Sequence, residues 1–191
     1  MTKKSTPKLT KAAVIFGILV IATCGMIFFF SSENSVQSSI TSGRISGLVA
    51  KLLFPDLDSM PADVRDEITT DVSHAIRKCA HFTEYLLLAQ FSFQLLMALL
   101  RPRSNIVCGL GALAFSAIYA MTDEYHQSFV PGRAMAAKDV LIDSSGGLLG
   151  VFLTLMVRVY IEWKKKKAGS VSNHDSAENN DADDASAASA K

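Results

Sequence analysis

The chain is short of the residues on which many functions are built. It has three cysteines, Cys24, Cys79 and Cys108. An odd count gives no disulfide framework, and no two of them have metal-ligand spacing. Two fall within apolar runs, so all three read as packing residues. An excess of charge of one sign is missing as well. Nineteen Lys and Arg stand against 18 Asp and Glu, a net charge of +1, so bulk electrostatics predicts no nucleic-acid partner. No internal repeat is evident. No His-Glu-x-x-His, Ser-His-Asp, Cys-His or acid-phosphatase pattern occurs, so no standard motif names a reaction.

Apolar residues are abundant and come in blocks. They make up 49% of 191 residues, a length that suits one domain. Mean hydropathy is +0.26. Such a chain reads as an all-α integral membrane protein with the lipid bilayer as its surroundings. The first block, Ala12 to Phe30, follows Lys3, Lys4, Lys8 and Lys11. About 19 residues at ~1.5 Å each nearly match the roughly 30 Å hydrocarbon core. Ile21-Ala-Thr-Cys24 resembles a lipoprotein cleavage box. Thr23 is a poor residue before a lipidated cysteine, and the run continues to Phe30, so the block reads as an uncleaved span.

Three further spans follow, at about 80–100, 106–121 and 140–161. Trp163 and Lys164 to Lys167 close the last as a bilayer edge does. Between the first two spans, residues 31–79 make a long helical loop. Ile40, Leu48, Val49, Leu52 and Leu53 share helical spacing, which predicts an amphipathic helix over 36–54 lying at the interface. Ser59, Pro61 and Asp63 predict a second helix start, running towards Arg77. From Ala168 the chain is acidic, with Asp175, Glu178, Asp181, Asp183 and Asp184 and little that is large and apolar. Disorder is the expectation there. The organisation is therefore a basic N-terminus over 1–11, a transmembrane domain over 12–162, and a tail over 163–191 that is basic and then acidic.

Charge orients the spans. The lysines before span one, Arg101 and Arg103 between spans two and three, and Arg158 with four lysines at the end belong to the cytoplasm. The 31–79 segment carries seven acids against five bases and belongs outside, as does 122–139. Both termini are then cytoplasmic, and the polar ends of spans two, three and four meet at the outer face.

At about 100° per residue, Arg77, His81, Glu84, Tyr85 and Leu88 share one side of span two. Asp139, Asp143, Gly146, Gly147 and Gly150 repeat that spacing on span four, and Gly109, Ala112, Ser116, Tyr119 and Asp123 share a face of span three. If that helix continues, His126 and Gln127 join the face while Glu124 points elsewhere. The small residues predict close helix contacts, Gly146-x-x-x-Gly150 among them. The outer ends predict a pocket of Arg77, His81, Glu84, Tyr85, Tyr119, Asp123, His126, Gln127, Arg133, Asp139 and Asp143. Pro131-Gly132-Arg133 is a turn that folds Arg133 back over it.

Four elements carry a family resemblance: Arg77-x-x-x-His81-Phe-x-Glu84-Tyr85, Asp123-Glu124-x-His126-Gln127, Pro131-Gly132-Arg133 and Asp139-x-x-x-Asp143-x-x-Gly146. With the Phe30-Ser31-Ser32 exit from span one, the chain over roughly 12–162 resembles the VanZ-like family. It departs at Glu33-Asn34, where Gln is expected, and at Asp143, where Asn is common. The resemblance implies a multi-pass protein of the bacterial cytoplasmic membrane with a link to teicoplanin and glycopeptide tolerance.

The residues admit an enzyme, a binding site or a scaffold. As an enzyme, His81, Glu84, Asp123 and His126 are the candidate acids and bases. Arg77, Tyr85, Tyr119, Gln127, Arg133, Asp139 and Asp143 are the candidate ligand-binding residues, with an envelope lipid or another anion as ligand. His81, Glu84, Asp123, Glu124 and His126 offer donors for a divalent cation. As a scaffold, Arg77 and Arg133 pair with Glu84, Asp123, Asp139 or Asp143. The sequence names neither a cofactor nor an oligomeric state.

Overall fold

A computed structural model describes residues 10–33, 35–100, 104–133 and 135–189. The basic stretch with Lys3, Lys4 and Lys8 lies outside the described residues, as do Asn34 and the Arg101-Pro102-Arg103 turn. Among the described residues there is no strand. The elements are α1 (Lys11–Ser31), α2 (Ser35–Leu53), a 3-10 turn (Leu57–Ser59), α3 (Ala62–Leu99), α4 (Asn105–Gln127) and α5 (Ala137–Ser189). Within this set α1, α3, α4 and the 137–168 part of α5 are long and apolar enough to cross a membrane.

Local chemistry sets the starts. Thr10 Oγ1 caps α1 by accepting from the Ala13 amide at 3.2 Å, and Ser104 Oγ caps α4 by accepting from Ile106 at 3.2 Å. Pro61 stands at the N-cap of α3 and Asp63 in its first turn. Ser59, predicted as a helix start, instead closes the 3-10 turn by donating to the Asp56 carbonyl at 2.7 Å.

The structure corrects the expectations for α3 and for Cys79. α3 is one helix of 38 residues, not two, because His74 to Ala80 contains no proline or glycine to interrupt it. At ~1.5 Å per residue it is about 57 Å long, nearly twice the roughly 30 Å hydrocarbon core. Cys79 is exposed, so it is no packing residue, whereas Cys108 is buried. The backbone past Ala168 is helical to Ser189. Alanine is the strongest helix former, and 170–189 holds neither proline nor glycine.

Residues 1–152 and 153–191 form separate units. The first holds the bundle, with α3 packed against α1, α2 and α4. Val20, Ile27, Tyr85, Leu88 and Ala120 make its interior cluster. α5 joins α3 at backbone distance: a Cβ on Gly146 would stand 2.2 Å from the Phe82 carbonyl oxygen, and one on Gly150 2.3 Å from that of Leu86. These two glycines act by absence of a side chain. On α2, small Ser46 and Ala50 are buried, while Ile45, Leu48 and Leu52 are exposed. That leaves an apolar stripe free to lie in a bilayer interface. In the second unit Tyr160 and Trp163 stack at 6.2 Å, and Lys167 Nζ lies 5.5 Å from the Trp163 ring centre.

Candidate functional site

The C-terminal ends of α1 and α4 and the start of α5 come together at one level of α3, near His81 and Glu84. α4 continues through the Asp-Glu-Tyr-His segment to Gln127. The chain then turns tightly, with Phe129 donating to the His126 carbonyl at 3.0 Å and Val130 to that of Gln127 at 2.9 Å. Pro131 and Gly132 make the next turn, which the Arg133 amide closes on the Val130 carbonyl at 3.1 Å. Gly132 has φ 79°, a value at which a side chain is strained.

This turn returns Arg133 to the helix it left. Arg133 Nη1 donates to Gln127 Oε1 at 3.1 Å, and Nη2 to the Phe30 carbonyl at 3.4 Å. Gln127 Nε2 donates to Asp123 Oδ2 at 3.0 Å and to Ser31 Oγ at 3.2 Å. Ser31 Oγ donates to the same Asp123 oxygen at 2.8 Å. Asp123 is only 5% exposed, so this bonding answers much of the cost of burying its charge.

Beside this network lies a cavity of about 220 Å³. Of the predicted residues, Arg77, His81, Gln127, Arg133, Asp139 and Asp143 line it. Glu84, Tyr85, Tyr119, Asp123 and His126 do not. Glu84 and Asp123 are buried behind the wall, and Tyr85 is wholly buried in the bundle. Tyr119 donates to the Cys24 carbonyl at 2.7 Å and ties α4 to α1 instead. His126 stacks on Phe28, ring centres 4.7 Å apart, with Nε2 3.3 Å from Ser32 Oγ. The two histidines read as an acid–base pair are therefore not brought together. Helix geometry explains this: the face holding Asp123 spreads over enough arc that His126 turns to α1.

Glu124 reverses its expectation. It is 3% exposed, lines the cavity, and accepts from the Ala136 amide before α5. Sequence reasoning also missed His74 and Lys78, which line the cavity. Their signal was available, since 74, 77, 78 and 81 follow the spacing of one helical stripe. Lys78 Nζ pairs with Asp139 Oδ1 at 2.8 Å.

Charge in the cavity is sorted. Neither Arg77 nor Arg133 forms an ion pair with Glu84, Asp123, Asp139 or Asp143, contrary to the pairing expected of a scaffold. Burial, and after it the charge of Arg77, lowers the pKa of Arg133 from the ordinary guanidinium value, with Asp123, Glu33 and Glu124 opposing. A guanidinium stays protonated under such a shift. Both cations thus line the one cavity. Deeper in, His81 Nδ1 and Glu84 Oε2 stand 3.4 Å apart, and neither atom has a hydrogen bond. A donor atom from each of His81, Asp123 and Asp143 lies within 4.8 Å of the other two. Glu84, Glu124 and His126, read as donors from the sequence, fall outside that group.

No curated protein and no solved structure matches the chain. A family model described as VanZ/LLP1 matches residues 16–158, which takes in most of α1, all of α2 to α4, the cavity and the glycine contacts of α5. The chain belongs to the VanZ/LLP1 family.

Proposed function

We propose that this protein binds the anionic headgroup of an envelope lipid in its polar cavity, at the outer face of the cytoplasmic membrane, and that glycopeptide tolerance depends on this binding. Family membership supplies the coarser part, a membrane protein linked to glycopeptide resistance. One observation carries the finer part. Arg77 and Arg133 converge on the cavity without an ion pair to its carboxylates, and the hydrogen bonds of Arg133 go to neutral oxygens. Paired guanidinium groups suit phosphate oxygens. The cavity's size favours a headgroup over a whole antibiotic, because about 220 Å³ is below the roughly 300–1,000 Å³ of a drug-sized pocket. The scaffold alternative needs the two arginines to be neutralised by the carboxylates around them, which is not how they are bonded.

The test is titration of the detergent-purified protein with a lipid phosphate monoester in mixed micelles, and separately with inorganic phosphate. The lipid should bind more tightly than the free anion. Arg77→Gln and Arg133→Gln should each weaken lipid binding at least tenfold and lower glycopeptide tolerance in cells. Unchanged binding in both variants would overturn the reading, and equal affinity for the free anion would remove the lipid from it.

A further inference from the structure

We propose that His81, Asp123 and Asp143 form a divalent-cation site at the floor of the cavity. The inference deepens the headgroup reading, and rests on it for the cation's purpose, though not for the site itself.

The donors come from three helices, α3, α4 and α5, and one atom from each lies within 4.8 Å of the others. An ion bound at about 2.0–2.2 Å to imidazole nitrogen and carboxylate oxygen holds its ligand atoms roughly 3–3.6 Å apart, so the three side chains draw together to grip it. A buried side chain points the same way independently of that spacing. Asp143 is 5% exposed, lines the cavity, and accepts no hydrogen bond among the described residues. A buried carboxylate lacking a partner is costly, and a cation repays that cost. Asp123 takes the hydrogen bonds of Ser31 and Gln127 on Oδ2, so Oδ1 carries neither of them.

Glu84 has a different part. Its Oε2 stands 3.4 Å from His81 Nδ1, and a proton held on Nδ1 leaves the lone pair of the ring on Nε2. A carboxylate behind a ligating histidine orients the ring and raises its basicity. Glu84 is thus a positioning residue. One imidazole with two carboxylates suits a borderline-to-hard divalent ion such as Mn²⁺ or Zn²⁺.

The cation also resolves a conflict of charge. A phosphate gripped by Arg77 and Arg133 would face Asp143 and Glu124 across the same small cavity. Like charges at that range repel. An ion seated between them bridges phosphate oxygen and carboxylate.

The experiment uses the full chain in detergent, stripped with a chelator and titrated with Mn²⁺ under electron paramagnetic resonance, then with Zn²⁺ by calorimetry. The parent should take up one saturable equivalent. His81→Gln and Asp143→Asn should weaken uptake at least tenfold, and Glu84→Gln by about 10–100-fold at unchanged stoichiometry. Asp58→Asn, at an exposed pair with Lys51, should leave it unchanged. A measurement on the parent alone guards against variants that fail to fold: bound Mn²⁺ should show the nitrogen coupling of one imidazole. No saturable uptake of either metal, uptake unaltered in His81→Gln and Asp143→Asn, or bound Mn²⁺ without nitrogen coupling would each overturn the site. Titrating inorganic phosphate with and without Mn²⁺ separates the two readings. Metal uptake without phosphate binding upholds the cation site and counts against the headgroup. Phosphate binding lost in Arg77→Gln, without metal uptake, does the reverse.

Discussion

Arg133 donates to the amide oxygen of Gln127 over 3.1 Å, so a neutral side chain, not a carboxylate, takes its hydrogen bond. Gln127 passes its own amide hydrogens to Asp123 and Ser31. The two residues therefore differ in what they do. Gln127 completes a buried network, while Arg133 brings a charge that the network does not neutralise.

Substituting each should separate these parts. Gln127→Ala leaves Asp123 with one hydrogen bond fewer, and such a loss costs about 1–3 kcal/mol. Its thermal midpoint in detergent should fall by several degrees. Arg133→Gln should hold that midpoint and lose headgroup binding. A midpoint that falls equally in both would assign Arg133 to the scaffold.

Asp143→Asn keeps the volume of a buried side chain and removes its ability to ionise. Uncompensated charge is held at functional sites at the expense of stability. In metal-free buffer the variant should be as heat-stable as the parent, or more so, and inactive in glycopeptide tolerance. His81→Ala and Glu84→Gln belong to the same series. Parallel loss of stability and tolerance in all three would argue for a structural network.

Gly146→Ala places a methyl group 2.2 Å from the Phe82 carbonyl oxygen, so α3 and α5 must separate. Overpacking of this kind costs about 1–3 kcal/mol. Thermal midpoint and membrane abundance should both drop, and Asp143, one turn away, should lose its place beside His81. Gly47→Ala on α2 meets nothing within 4 Å and should be neutral or stabilising, since alanine is the better helix former.

Membrane topology is open to reporter fusions. The charge pattern predicts that both termini are cytoplasmic. Fusions after Asp58 and Pro131 should be active only with an outside reporter, and fusions after Arg103 and Lys167 only with an inside one. An outside signal at Lys167 sinks the four-span arrangement and moves the cavity to the other face.

Residues beyond 158 lie outside the family match, and the acidic stretch carries little apolar surface. Deleting 170–191 should leave membrane insertion and tolerance as they are. Lost tolerance at normal protein abundance would give the stretch a role in function.

Much of the fold was legible in the chain itself. The four apolar blocks set four helices, because a backbone in lipid must satisfy its hydrogen bonds within each segment. The stripes of small and polar residues set which sides of α3, α4 and α5 face one another, because helix period is a local property. The Pro131-Gly132 turn was legible for the same reason.

What only the tertiary structure decided was which polar side chains meet. Periodicity gives an angle about one axis, but not the rotation of one helix against the next. Asp123 and His126 share a face of α4, yet Asp123 enters a buried network with Ser31 while His126 stacks on Phe28. Glu124, about 100° from Asp123 and read as pointing away, reaches the cavity because the chain before α5 passes it at Ala136. Whether Arg77 and Arg133 neutralise the acids or stand apart from them depends on side-chain distances across three helices and a loop. Residue order along the chain does not encode those distances; packing at Gly146 and Gly150 does, because it sets how near α5 lies to α3.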